Sequence, residues 1–106
     1  MLSSKNKEKI YIKCIERIKS TSESNKLKFI SKLLFESFES WIFCGFYFQE
    51  YDKLLVSEYC ASKIPCSPIT LDGVCGTAIL KNKILNIENV NTFQGHIVCD
   101  ENSKSE

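Results

Sequence analysis

The chain has 106 residues, 43% hydrophobic and 25% charged, which suits one small domain with its own core, near the low end of size for stability. Its 14 basic and 13 acidic residues leave a formal charge of +1 and are scattered along the sequence, so the charge pattern favours neither a nucleic acid nor an anionic membrane as partner. The polar opening from Met1 to Lys9 reads as neither a signal peptide nor a membrane span, and the expected compartment is the cytoplasm.

In chain order, Ile10, Cys14, Ile15 and Ile18 recur at three- and four-residue steps, and predict an amphipathic helix from about Lys5 to Lys19 with Cys14 in the core. The run Ser20 to Asn25 is rich in residues whose side-chain oxygens cap helices, so it ends that helix and starts another. The second helix should bury Leu27, Ile30, Leu34 and Phe38, with Leu33 and Phe35 widening the face. Trp41 to Phe48 is a dense aromatic run and reads as a central strand. A polar turn over 49–53 leads to a second strand over Leu54 to Tyr59, making a hairpin. Gly45 marks either a bulge or a close approach to the backbone. Pro65 and Pro68 predict an irregular loop from Ser62 to Asp72. A short helix over Gly73 to Asn82, a short strand over Ile84 to Ile87, and a loop from Glu88 to Glu101 complete the reading.

Six cysteines in so short a chain raise the alternatives of a secreted disulfide scaffold and a zinc site. The first requires export, and the chain already has apolar runs enough for a core, so reduced thiols are expected. The second usually needs closely spaced CxxC pairs, and none is present. Cys14, Cys44 and Cys60 lie in or beside apolar runs and are expected to behave as small buried hydrophobes. Cys66, Cys75 and Cys99 lie in loops or glycine-flanked turns, where a sulfur is reachable and can act as a nucleophile. His96, three residues before Cys99, is expected to hydrogen-bond its loop, and no catalytic role is assigned to it.

The order helix, helix, aromatic hairpin, short helix and strand resembles a GAF domain, an α+β fold in which helices pack on an antiparallel sheet. The segments GVCGTA at Gly73, GHIVCD at Gly95 and NSKSE at Asn102 resemble the free methionine-(R)-sulfoxide reductases, which are GAF-domain enzymes. Upstream, Cys44-Gly45-Phe46-Tyr47 and Lys63-Ile64-Pro65-Cys66 are similar to two further segments of that family. The resemblance implies a single GAF-like domain over 1–106 that lacks the family's last strands and helix. It implies Cys99 as nucleophile, Cys66 as its main resolving partner, Cys75 as a second resolver and Glu106 as an active-site acid. Tyr47 falls on a residue of the substrate pocket, and Phe43 stands where the family usually has a tryptophan.

The activity implied is reduction of free L-methionine-(R)-S-oxide to methionine, with thioredoxin as reductant, no cofactor and no metal, in a chain that can pair as a homodimer. A sulfoxide sulfur becomes electrophilic when its oxygen accepts a proton, so the chemistry needs a thiolate on one side and an acid near the oxygen. Cys99 and Glu106 would supply them, the oxygen passing to Cys99 as a sulfenic acid that condenses with Cys66 to a disulfide. The alternative is a non-catalytic GAF-like module that binds a small molecule or senses redox state.

Overall fold

Ser3 begins the first helix, α1 (Ser4–Ser20), by accepting the Asn6 N–H on its hydroxyl at 3.2 Å, which satisfies one of the donors a helix start leaves unpaired. Asn25 does the same for α2 (Lys26–Ser37), its Oδ1 taking the Lys28 N–H at 3.1 Å. In the computed structural model, residues 3–93 and 105–106 are described. The remaining elements among them are β1 (Phe43–Glu50), β2 (Lys53–Ala61), the two-residue β3 (Ile69–Thr70), α3 (Val74–Lys81) and a 3-10 turn over Val90–Thr92. The strands form one sheet in the order β1-β2-β3. Among the described residues β2 is therefore the middle strand, where the sequence pattern had placed the aromatic β1. No helix among the described residues is long and apolar enough to cross a membrane.

Contacts divide the chain into two compact units, one of Met1–Phe46 with Glu58–Ser62, the other of Tyr47–Ser57 with Lys63–Glu106. In the first, α1 packs against α2. Cys14 is buried as expected, its Sγ donating to the Ser37 hydroxyl at 3.4 Å. Phe38 is 3% exposed, its ring between Tyr11 at 4.8 Å and Trp41 at 4.6 Å. Offset aromatic contacts of this kind add to the burial of the rings themselves.

The buried face of α2 matches the predicted one at Leu33, and Phe38 at its end is buried too, but it differs at Leu27 and Ser31. Ser31 and Leu33 are its buried residues, whereas Leu27 is 41% exposed. The shift has a polar cause that hydrophobic periodicity does not register: Asn25 Nδ2 donates to Glu58 Oε1 at 3.0 Å and Ser31 Oγ donates to the Glu58 carbonyl at 3.4 Å. Those two bonds turn the Asn25 and Ser31 side of the helix toward β2. On β1, a Cβ placed on Gly45 would lie 2.6 Å from the Tyr59 Cβ and 2.9 Å from the Glu58 carbonyl oxygen, so Gly45 is a point of close approach. Cys44 and Cys60 are half-buried and not the core residues that their apolar neighbours suggested.

In the second unit, β2 and β3 pair antiparallel, Lys53 opposite Thr70 and Leu54 opposite Ile69. Continuing that register sets Val56 opposite Ser67, where Pro68 interrupts the backbone ladder because it has no N–H to give. The Val56 N–H goes instead to Ser67 Oγ at 2.9 Å. Leu54 and Val90 are fully buried and Val74 is nearly so. The predicted strand over Ile84 to Ile87 does not form: Ile84 is fully exposed, and among the described residues the segment carries no ladder.

Candidate active site

The site is built in the second unit from three pieces of chain. The first is the loop between β2 and β3, which carries Cys66. Its shape is held by Ser67, whose hydroxyl ties it to β2, and by Tyr47, whose phenol donates to the Cys66 carbonyl at 2.7 Å. This half-buried phenol gives its one donor to a backbone acceptor of the irregular loop.

The second piece is α3. Gly73 is its N-cap, and Asn82 ends it in the left-handed conformation at φ 52°, a conformation asparagine tolerates better than most residues. Gly76 lies against the backbone of Leu71 so closely that a Cβ there would overlap Leu71 main-chain atoms. Gly76 thus lets this helix seat on the preceding loop, and Cys75 is placed by that seating.

The third piece is the chain around Glu106. Ile87 and Glu106 exchange both backbone hydrogen bonds, at 2.7 and 2.9 Å, the pattern of a directly opposed antiparallel pair. That pairing delivers the Glu106 side chain to α3, where its Oε1 accepts a hydrogen bond from the Cys75 thiol at 3.4 Å.

The electrostatics follow from this arrangement. Burial, then the charge of Glu106 and the hydrogen bond it accepts, push the Cys75 thiol up to about 12. Tyr47 is also raised, first by burial and then by its nearness to Cys75 and Glu106. A group that is removed from water and faces a negative neighbour keeps its proton more strongly, and both residues meet that description.

Cys66 is disulfide-bonded, whereas Cys14, Cys44, Cys60 and Cys75 are free thiols. The expectation of reduced thiols therefore fails at Cys66. Cys99, the sixth cysteine, and His96 lie outside the described residues. Of the other residues singled out from the sequence, Tyr47, Cys66, Cys75 and Glu106 come together. Phe43 belongs to the first unit, where its ring stacks on Tyr59 with centroids 6.2 Å apart. Two residues of the site escaped the sequence reading. Ser67 was visible only as half of a Ser-Pro pair, and Ile87 only as the end of an apolar run, since a backbone pairing leaves no mark in residue type.

No protein-family model matches the chain. It is 43% identical over 77 residues to the free methionine-R-sulfoxide reductase of Escherichia coli, a stretch that takes in 72% of this chain and 46% of that protein. It is 33% identical to GAF domain-containing protein A of Dictyostelium discoideum, over 99% of this chain and 70% of that protein. Among solved structures, a putative GAF sensor protein from Burkholderia vietnamiensis superposes with a TM-score of 0.83 at 32% identity, covering 93% of this chain and 66% of that one. The reduced form of fRMsr of Staphylococcus aureus does so with a TM-score of 0.74 at 29% identity, covering 92% and 64%. The chain thus spans less than half the length of the Escherichia coli relative and about two thirds of the others. With an α+β fold shared along nearly its whole length, the chain belongs to the GAF-domain family and is a homologue of the free methionine-R-sulfoxide reductases.

Proposed function

We propose that the chain is a cytoplasmic oxidoreductase that reduces free L-methionine-(R)-S-oxide to methionine, using cysteine thiols as its only redox groups and thioredoxin as reductant. The observation that carries this reading is the disulfide at Cys66, in a loop pinned by Tyr47, within the same cluster as the Cys75 and Glu106 pair. In the proposed cycle the Cys99 thiolate attacks the sulfoxide sulfur, the oxygen passes to Cys99 as a sulfenic acid, and methionine leaves. The Cys66 thiol then condenses with that sulfenic acid, forming the disulfide and releasing water. A disulfide at Cys66 is the oxidised end of this cycle, and an external dithiol such as thioredoxin returns it to two thiols.

Glu106 is the group that would hold a proton at the sulfoxide oxygen, and Tyr47 would bound the substrate. Cys75 takes a narrower role than a resolving thiol. Exchange and condensation run through the thiolate, and a thiol pushed up to about 12 is almost wholly protonated near neutral pH. In this reading it orients the Glu106 carboxylate. A homodimer, implied by the family resemblance, is part of the proposal.

The test is NADPH consumption by the purified chain with thioredoxin, thioredoxin reductase and the free R epimer. Turnover of the R but not the S epimer, lost in Cys99→Ser and strongly reduced in Cys66→Ser, is expected. Absence of turnover from a folded chain would favour a second reading, a binding or redox-sensing module, which the likeness to a putative GAF sensor protein supports.

A further inference from the structure

Two thiols that the proposed cycle does not use, Cys44 on β1 and Cys60 on β2, are both free and both half-buried. Two observations fix how they face one another. The Ser62 N–H donates to the Ile42 carbonyl at 3.1 Å, which pairs Ile42 with Ser62. A Cβ on Gly45 would lie 2.6 Å from the Tyr59 Cβ, which pairs Gly45 with Tyr59. Both belong to the same offset, and in that offset Cys44 stands directly opposite Cys60.

Directly opposed residues project to the same face of a sheet, so the two sulfurs share one side. Hydrogen-bonded pairs recur every second residue along an antiparallel ladder, and Cys44 and Cys60 lie two residues in from the bonded Ile42 and Ser62. Such pairs have Cα atoms about 5.5 Å apart, inside the range of about 4.4–6.8 Å that a disulfide spans. The electrostatics agree with sulfurs on one face: Cys44 is raised first by burial and then by Cys60. Two thiols within disulfide reach on one face are a pair that a two-electron oxidant can join.

We propose that Cys44 and Cys60 are a cross-strand dithiol that a hydroperoxide oxidises to a second disulfide, separate from the one at Cys66. One thiolate attacks a peroxide oxygen, the O–O bond breaks, and the peroxide leaves as alcohol or water while the sulfur becomes a sulfenic acid. The second thiol attacks that sulfur, the S–S bond forms and the hydroxyl leaves as water. Two electrons pass from the two thiols to the peroxide, and the product joins β1 covalently to β2.

The test uses the reduced chain, freed of reductant, treated with hydrogen peroxide, then denatured, alkylated and digested without reductant for mass spectrometry. A cross-linked peptide containing Cys44 and Cys60 is expected in the wild type and, undiminished, in Cys66→Ser. In Cys44→Ser the cross-link disappears, and a sulfenic-acid probe labels Cys60 where the wild type shows none. Quantitative alkylation of both residues after peroxide would overturn the proposal. So would a cross-link of either residue to some other cysteine in place of its strand partner.

Discussion

The Cys75 thiol donates to the Glu106 carboxylate over 3.4 Å, although the two residues lie 31 positions apart. The backbone exchange between Ile87 and Glu106 makes that contact, and the same carboxylate acts on Tyr47, whose phenol holds the Cys66 carbonyl. One acidic side chain therefore bears on both a thiol and the residue that pins the disulfide loop.

The first prediction concerns the proton on Cys75. With a value of about 12 against an ordinary 9.0, the thiol gives up its proton more readily from the unfolded chain than from the folded one. Its contribution to stability is complete below about pH 9 and is lost as pH rises toward 12. Thiolate absorbance of the folded chain, with the other free cysteines replaced by serine, should show a late inflection belonging to Cys75. Glu106→Gln removes the charge but leaves the burial that is the larger cause, so the inflection should move down without returning to the ordinary value. An unchanged inflection in that variant would mean that the carboxylate does not act on the thiol.

A second prediction concerns the loop around Cys66. Tyr47→Phe deletes a 2.7 Å bond to a backbone carbonyl while keeping the ring. Loss of one such bond costs about 0.5–1.5 kcal/mol, and more if the carbonyl is left without water. Urea unfolding should show a loss of about 1 kcal/mol, and the Cys66 disulfide should be reduced faster by dithiothreitol because its loop opens more often. If the rate of reduction does not change, Tyr47 fills space there and restrains nothing.

The third prediction tests the seating of α3. Gly76→Ala would gain about 1 kcal/mol from helix propensity alone. The added Cβ, however, overlaps main-chain atoms of Leu71, which cannot swing aside as a side-chain end can. Overpacking costs typically about 1–3 kcal/mol, so a net loss of stability is expected, together with a fall in the Cys75 value as its hydrogen bond to Glu106 is stretched. A stabilised variant would show that the loop before α3 yields freely.

Much of this architecture was legible in the residues, and the parts that were not share a cause. Both long helices, the hairpin and the glycine-entered α3 follow from local signals: apolar spacing, capping side chains and an aromatic run. What local signals do not carry is pairing between distant segments. The apolar residues Ile84 to Ile87 read as a strand, yet they form none, and among the described residues the backbone partner of Ile87 is Glu106, far along the chain. The order of the sheet, with β2 in the middle, is likewise a property of which strands meet. The cluster of Tyr47, Cys66, Cys75 and Glu106 was reached through a family resemblance, because four residues so far apart in sequence have no spacing that could announce them. The state of Cys66 was not legible at all, since a thiol and a half-disulfide are the same letter.

The last prediction separates the two readings of α2. Periodicity assigned both Leu27 and Leu33 to the buried face, whereas Leu33 is 8% exposed and Leu27 41%. Truncating a well-buried leucine to alanine costs about 2–5 kcal/mol, from lost transfer energy and the cavity left behind. Substitutions on an exposed helical surface usually stay within about 0.5 kcal/mol, and leucine and alanine differ little in helix propensity. Leu33→Ala should therefore lower the urea midpoint sharply and Leu27→Ala only slightly. The contrast depends on the polar bonds from Asn25 and Ser31 to Glu58, which set the rotation of the helix. Equal losses from the two variants would show that those bonds do not fix the face, and that hydrophobic spacing was the better guide.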